Sequence, residues 1–311
     1  MNNDNPEDIE RKRQAIVEQY GEWTAHNIYL KENRYTYGPG VENFLAQMRN
    51  HGAQLRRVVQ VVSDITNQPL SELRVLDLAC LEGLYGLELA RHGASVVAIE
   101  GRPANIEKAR FAQNVLGLEN IEFVLDDVRN LSTEKYGRFD VVLCLGILYH
   151  LDAPDVFHFV EQVSDVCERA AVICTHVAKE ASKSHWYKGK EYFGAPYSEP
   201  LIKDSQDEVV QAVWHSLDNE ESFWFTRPSL FNLLTRVGFT SVYTCHAPAF
   251  PSPWKDPSAP QKDVTFPAED TLVAVKGKSA QLFSIPLLND VREIAWSESK
   301  LANSEAETTQ D

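Results

Sequence analysis

Residues 74–83, RVLDLACLEG, run from an apolar stretch into a loop, and LYGLELARHG (84–93), SVVAIE (95–100) and PANIEKARFAQNVLG (103–117) follow directly. A short β-branched run, a stretch with helical apolar spacing and a second short apolar run make one βαβ unit. Near-continuous apolarity suits a strand buried on both faces, and spacing at i, i+3 and i+4 suits a helix that covers it. The alternation continues through IEFVL (121–125), FDVVLCLG (139–146), APDVFHFVEQVSDVC (153–167) and AAVICTHV (170–177). Gly93 and Gly117 stand where helices should stop, as residues free to take the left-handed cap. The pattern predicts a doubly wound, mostly parallel α/β sheet of seven strands.

Working outward, residues 1–70 read as a helical cap. Asn5 before Pro6, Glu7 and Asp8 is an N-cap with proline at the first helical position and acids in the first turn, so a helix is expected over 6–20. The segment 21–40 is dense in aromatics without a clear period, and 41–65 returns to helical spacing. The core is expected over 71–178. Residues 179–225 break the alternation with a polar, aromatic-rich stretch, read as an insertion over the site. Residues 226–278 should finish the sheet with a helix (228–237) and strands at 240–246 and 271–276. The remainder, 279–311, is a tail whose polar end from Ser297 is expected to fray.

Composition narrows the function classes. The 311 residues are 43% hydrophobic and 24% charged, enough for a substantial core. Thirty Lys and Arg against 45 Asp and Glu give a formal net charge of −15, which disfavours a surface built to neutralise a phosphate backbone. Nucleic acid is therefore not an expected partner. No apolar run reaches the roughly 18–20 residues needed to span a bilayer, and MNNDNPEDIERKR has no apolar leader, so a soluble, cytoplasmic protein is expected. The five cysteines, Cys80, Cys144, Cys167, Cys174 and Cys245, contain no C-x-x-C pair and read as reduced thiols.

In an open parallel sheet, ligands bind beyond the carboxyl ends of the strands. Here those ends are acidic: Asp77 through Glu82 after the first, Glu100 after the second, Asp126 and Asp127 after the third. A dinucleotide fold needs G-x-G-x-x-G so that bare backbone can approach a pyrophosphate, but Ala79 and Leu81 stand in the way and Asp77 and Glu82 would repel it. A cofactor with a ribose, an adenine, no phosphate and a positive centre suits these positions better.

Those residues, with FVLDDVRNL (123–131) and FDVVLCLGILYHL (139–151), resemble the class I S-adenosylmethionine (SAM)-dependent methyltransferases over 73–177. The family's first loop commonly reads D-x-G-x-G-x-G; this chain has Ala79 and Leu81 for the first two glycines and keeps Gly83. The resemblance implies the Rossmann-like methyltransferase fold and SAM as cofactor. Asp77, Ala79, Cys80, Leu81 and Gly83 would cradle the methionine end. Glu100, with Gly101 and Arg102, would receive the ribose hydroxyls. Asp126, Asp127 and Val128 would hold the adenine, and Cys144, Leu145 and Gly146 would lie near the methionyl amino group.

Methyl transfer is an in-line displacement in which alignment and desolvation do most of the work, with a base needed only where the acceptor carries a proton. Tyr149 and His150 occupy the mouth of the fourth strand and are the catalytic candidates. His150 reads as a base, a substrate-positioning contact or a structural hydrogen-bonder. A divalent-ion clamp through His150, Asp152, Asp155 and His158 is the weaker reading, and no metal is expected. Trp23, His26, Tyr29 and Tyr37 of the cap, Trp186 and Tyr187 of the insertion, and Arg227 are expected walls of a substrate pocket. Lys179, Lys183, Lys188 and Lys190 read as a solvated loop or an anion site.

The reading is a methyltransferase acting on a small molecule, with oxygen as the expected acceptor and a homodimer through the N-terminal helices as an open option. The alternatives are modification of tRNA or another macromolecule, because the LYH segment also resembles a tRNA-wobble carboxymethyltransferase, and a non-catalytic protein that keeps a SAM-like cleft.

Overall fold

The computed structural model describes residues 5–32, 34–38, 44–199, 215–245 and 269–289. Helix α1 (Pro6–Tyr20) starts as the sequence dictates: the Asn5 side chain accepts the Asp8 backbone N–H at 2.9 Å. Helix α2 (Phe44–Thr66) lies against the sheet, with Val58 and Val62 buried. The core then alternates β1 (Arg74–Leu78), α3 (Leu84–Arg91), β2 (Ser95–Glu100), α4 (Pro103–Leu116), β3 (Ile121–Leu125), the single turn α5 (Thr133–Tyr136), β4 (Phe139–Leu145), α6 (Asp155–Val166) and β5 (Cys167–His176). Gly117 caps α4 at φ 68°, and Gly93 takes φ 94° just past α3.

After β5 the insertion forms a second, antiparallel sheet of β6 (Lys183–Tyr187), β7 (Lys190–Ser198) and β8 (Glu221–Phe225) in that order. Helix α7 (Arg227–Arg236), β9 (Ser241–Thr244) and β10 (Glu269–Val275) return to the main sheet, whose order is β3-β2-β1-β4-β5-β10-β9. β1 to β5 pair in parallel and β10 runs antiparallel to both neighbours. This is the expected seven-stranded, mostly parallel fold. The end of the 240–246 expectation, the first residues of the 41–65 helix, the 200–214 part of the insertion and the tail from 290 lie outside the described residues.

Alternate residues of each central strand feed opposite apolar layers. Val75, Ala98 and Leu143 enter one, and Leu76, Leu78, Val142 and Cys144 the other, as a strand's two-residue period requires. The insertion, aperiodic to the eye, packs its aromatic rings around one side chain of α6, with Glu161 and His158 of the same helix bonding Tyr187. The Phe157 ring stacks on Tyr187 at 4.9 Å and meets Tyr192 and Phe225 at 5.4 and 5.1 Å. The small sheet is thus packed onto the core. Strand order reverses between β1 and β4, and the crevice at their carboxyl ends is where such a sheet takes its ligand.

Candidate active site

The loop after β1 keeps a glycine-type path without the glycines. Ala79, Leu81 and Gly83 all have positive φ, at 51°, 50° and 87°. Left-handed backbone costs a non-glycine residue about 1–2 kcal/mol, and the loop is held in this path by bonds at Cys80 and Leu81. Cys80 N–H donates to the Ile99 carbonyl at 3.0 Å and Leu81 N–H to Glu100 Oε2 at 3.0 Å. At Gly83 a Cβ would come within 2.9 Å of the Phe123 ring, so that position has no room for a side chain.

Around this loop a cavity of about 380 Å³ opens at the strand ends. Ala79 and Leu81 from the loop, Glu100, Gly101 and Arg102 after β2, and Asp126, Asp127 and Val128 after β3 line it, together with Leu145, Gly146, Tyr149 and His150 at the end of β4. Eight of the residues expected to hold the cofactor's ribose, adenine and methionine ends, the two from the loop and the two catalytic candidates thus share one chamber. Asp77, Cys80, Gly83 and Cys144 do not line it. Each is buried beneath or tucked behind it and shapes the wall through the backbone.

Asp77 accepts the Gly86 N–H at 2.9 Å and so pins the start of α3. Burial, with repulsion from Glu100 added, pushes its carboxyl up to about 7 against the help of that hydrogen bond. Glu82, expected beside the ligand, is turned the other way. Its carboxylate, fully buried, accepts the backbone N–H groups of Thr24, Ala25 and His26 at 2.8, 3.0 and 2.7 Å and lies 3.6 Å from the Lys108 ammonium. A buried carboxylate must find donors, and the cap supplies a row of them.

Glu100 is buried at the cavity wall. Oε1 accepts Arg102 N–H at 2.9 Å and Asn105 Nδ2 at 3.3 Å, and Oε2 accepts Leu81 N–H. Burial raises its proton affinity, and the bonds from Arg102 oppose that. Asp126 is drawn down to about 2: burial works against this, and hydrogen bonds from Lys135, Tyr136 and Asn130 prevail. Both Asp127 oxygens meet Arg129, at 2.6 to 3.0 Å.

Residues 215–219 roof the cavity. The His215 carbonyl accepts Arg102 Nη2 at 2.7 Å, Asp218 pairs with Arg129 at 2.6 Å, and Asn219 Nδ2 donates to the His150 carbonyl at 2.8 Å. Leu217 sits over Gly101, where an added Cβ would come within 2.5 Å of it. Next to this roof, His150 Nδ1 lies 2.8 Å from Glu199 Oε1, which also accepts the Ser222 hydroxyl at 2.6 Å. Sequence reasoning missed Glu199 and the roof; a carboxylate 49 positions from its histidine leaves no spacing signal.

Of the expected substrate residues, only His26 lines the cavity, its ring edge-on to Tyr85 at 5.8 Å. Trp23 is buried between Phe111 and Lys108, and Tyr29 packs on Tyr35 under Arg91. Tyr37 lies off the cavity, Trp186 is 71% exposed, Tyr187 donates to Glu161 at 2.6 Å, and Arg227 opens α7 facing solvent. Aromatic composition drew attention to most of them; Trp23, Tyr29 and Tyr187 pack against neighbouring rings instead. Gln54, Tyr85 and His176 line the cavity unforeseen. Lys183 and Lys188 pair with Glu221 and Glu161 at 2.6 Å, and Lys183 and Lys190 lie in β6 and β7 rather than in a loop. His150, Asp155 and His158 go to Glu199, Arg129 and Tyr187, and among the described residues no group of three or more His, Cys, Asp or Glu is arranged to hold a metal.

The donor set fits SAM. The side chains of Ala79 and Leu81 crowd the turn where a pyrophosphate would need bare backbone, and Arg102 and Arg129 are engaged with the roof and with Asp127. Glu100 remains as a buried acceptor on the wall, suited to ribose hydroxyls and to a cationic ligand.

Residues 75–170 match the model of the methyltransferase domain family. Relatives include a ubiquinone biosynthesis O-methyltransferase of Methylocella silvestris, 42% identical over 84 residues (27% of this chain, 32% of the relative). Another, of Pelagibacter ubique, is 29% identical over 129 residues (41% of this chain, 52% of the relative). The matched stretches thus span about a third to a half of those proteins' lengths. Among solved structures, the N-terminal domain of EvdMO1 with SAH bound superposes with a TM-score of 0.62 at 22% identity, covering 88% of this chain and 98% of that one, which shows a shared fold. Sheet order, loop path and acidic strand ends agree with the family match, which covers residues 75–170, and that stretch is similar to the methyltransferase domain family.

Proposed function

We propose that the protein transfers a methyl group from SAM to an oxygen nucleophile on a small molecule. The observation that carries this reading is the single chamber in which the Glu100 carboxylate, the left-handed loop at 79–83 and the imidazole of His150 meet under the 215–219 roof. When bound, SAM supplies a methyl group on a positively charged sulfur, and the C–S bond breaks with its electron pair going to sulfur as the acceptor oxygen bonds the carbon. Glu100 accepts hydrogen bonds from the ribose hydroxyls, the wall at Asp126, Asp127 and Val128 frames the adenine, and the loop and Gly146 face the methionine end. Tyr149 and His150 stand on the acceptor side, and His26, Gln54, Tyr85 and His176 form its walls. Where the roof keeps water from a bound ligand, the pull of Glu100 on its positive charge is strengthened.

The domain reading accompanies this one: a cap of 1–70, a SAM-binding core of 71–178, a substrate-side insertion of 179–225, a sheet-completing segment of 226–278 and a tail of 279–311. Among the described residues no helix is long and apolar enough to cross a membrane. A cytoplasmic location belongs to the same reading, supported by five free thiols, four of them buried. A homodimer through the N-terminal helices is the assembly to test by sedimentation.

Parallel calorimetric titrations with SAM, S-adenosylhomocysteine and NADH test the cofactor. Binding of the first two without the third supports the reading, and binding of NADH alone overturns it. Labelled SAM with panels of phenols, sugars, carboxylates and amines then identifies the acceptor.

A further inference from the structure

We propose that Glu199 is the positioning residue of this site: it holds His150 in the tautomer with hydrogen on Nδ1, so that Nε2 is the basic nitrogen offered to an acceptor that is an uncharged hydroxyl. This rests on the transferase reading and adds to it a residue and a substrate class.

Glu199 follows β7 in the insertion, and its side chain is 3% exposed. One oxygen meets both His150 Nδ1 at 2.8 Å and the Ser222 hydroxyl at 2.6 Å, and the other accepts Ser216 N–H at 3.3 Å. Burial favours the protonated acid, but the bonds from His150 and Ser222 outweigh it and hold the carboxyl below its ordinary range. An ionised carboxylate only accepts, so the hydrogen between the two groups belongs to Nδ1, and the neutral ring has its lone pair on Nε2. Among the described residues Glu199 is the one side chain hydrogen-bonded to this ring.

The rest of the surroundings hold the ring still. His150 N–H donates to the Ile147 carbonyl at 2.9 Å, its carbonyl accepts Asn219 Nδ2, and the Tyr149 ring packs beside it at 4.4 Å. Besides Glu199, the titratable and charged groups beside the ring or across the same cavity include Tyr149 on its own turn, His176 from β5 behind Tyr149, and Asp218 from the roof, which shares Arg129 with Asp127 and Asp155.

The pair matters only for an acceptor that brings a proton. As the hydroxyl oxygen bonds the methyl carbon and the electron pair of the C–S bond stays on sulfur, the hydroxyl proton passes to Nε2. The imidazolium so formed faces the Glu199 carboxylate and later releases that proton to water. A carboxylate acceptor arrives already deprotonated and has no use for this arrangement.

The test has two arms. In nitrogen NMR of histidine-labelled wild type near neutral pH, without cofactor or acceptor, His150 should carry its hydrogen on Nδ1, and Glu199→Gln should move it toward a mixed population. Hydrogen on Nε2 in the wild type overturns the proposal whatever the variants do. In turnover, Glu199→Gln should lower kcat about tenfold or more, leave the KM for SAM unchanged and displace the acid limb of the kcat profile to lower pH, with Glu199→Asp recovering part of the loss. An unchanged kcat and profile overturns it, as does a screen in which only carboxylates are methylated. Failure of the wild type to bind SAM would overturn the transferase reading instead, and the NMR arm distinguishes the two failures.

Discussion

The Glu82 carboxylate accepts the backbone N–H of His26 at 2.7 Å, so the loop that shapes the cavity wall and the segment that delivers a cavity residue are joined by a buried charge. Thr24 and Ala25 donate to the same carboxylate, and Lys108 balances it. Glu82→Ala removes all of this and leaves the buried Lys108 ammonium with the Glu22 carbonyl but without its carboxylate. The expected loss is about 3–5 kcal/mol of stability, the cost of breaking a buried pair from one side. Urea denaturation measures it, and a loss within error of zero would mean that the cap docks by apolar packing alone.

Glu100 has a double role, as acceptor for the loop through Leu81 and as the buried acid of the cavity. Glu100→Ala should weaken SAM binding by about tenfold or more, since a charge-assisted acceptor is lost. Glu100→Gln keeps the volume and shows whether the loss follows the charge. Calorimetry on both variants reads the result, and unchanged affinity in both would remove Glu100 from the site.

Asp77 gives a pH dependence with a definite sign. Its carboxyl titrates at about 7 in the folded protein, above the ordinary unfolded value of about 4, so between those limits the folded chain holds the extra proton. Its contribution to stability is therefore full at the acid end, falls as pH rises through that window and stays low above it. Asp77→Asn abolishes the effect, so its melting temperature relative to wild type should rise across the window and level off beyond about pH 7. A difference that is flat with pH would show that Asp77 titrates normally.

Arg129 latches the roof by pairing with Asp218 at 2.6 Å while it holds Asp127. Arg129→Ala should speed amide hydrogen exchange in 215–219 and leave β1 and β4 protected. Equal exchange in both proteins would assign the roof's stability to Asn219 and Arg102 instead.

The short-range content of the sequence carried the fold. Apolar runs at 74–78, 95–100, 121–125 and 139–145 alternate with helical spacing, and Gly83, Gly93 and Gly117 mark turns where positive φ is required. The acids at the strand ends were legible for the same reason, because a parallel sheet brings every carboxyl end to one edge. Aromatic residues misled: Trp23, Tyr29 and Tyr187 are as common in packing as in pockets, and local sequence does not tell the two apart.

By itself, then, the sequence determined the layered sheet, the place of the ligand crevice and the loop that departs from glycine at Ala79 and Leu81, since these depend on periodicity and on the nearest neighbours along the chain. Only the tertiary structure decided that Glu82 turns into the cap, that 215–219 closes the roof and that Glu199 reaches His150. Each of those depends on where a buried polar group finds its partner once distant segments are packed together, and nothing in the spacing of residues along a chain encodes that meeting.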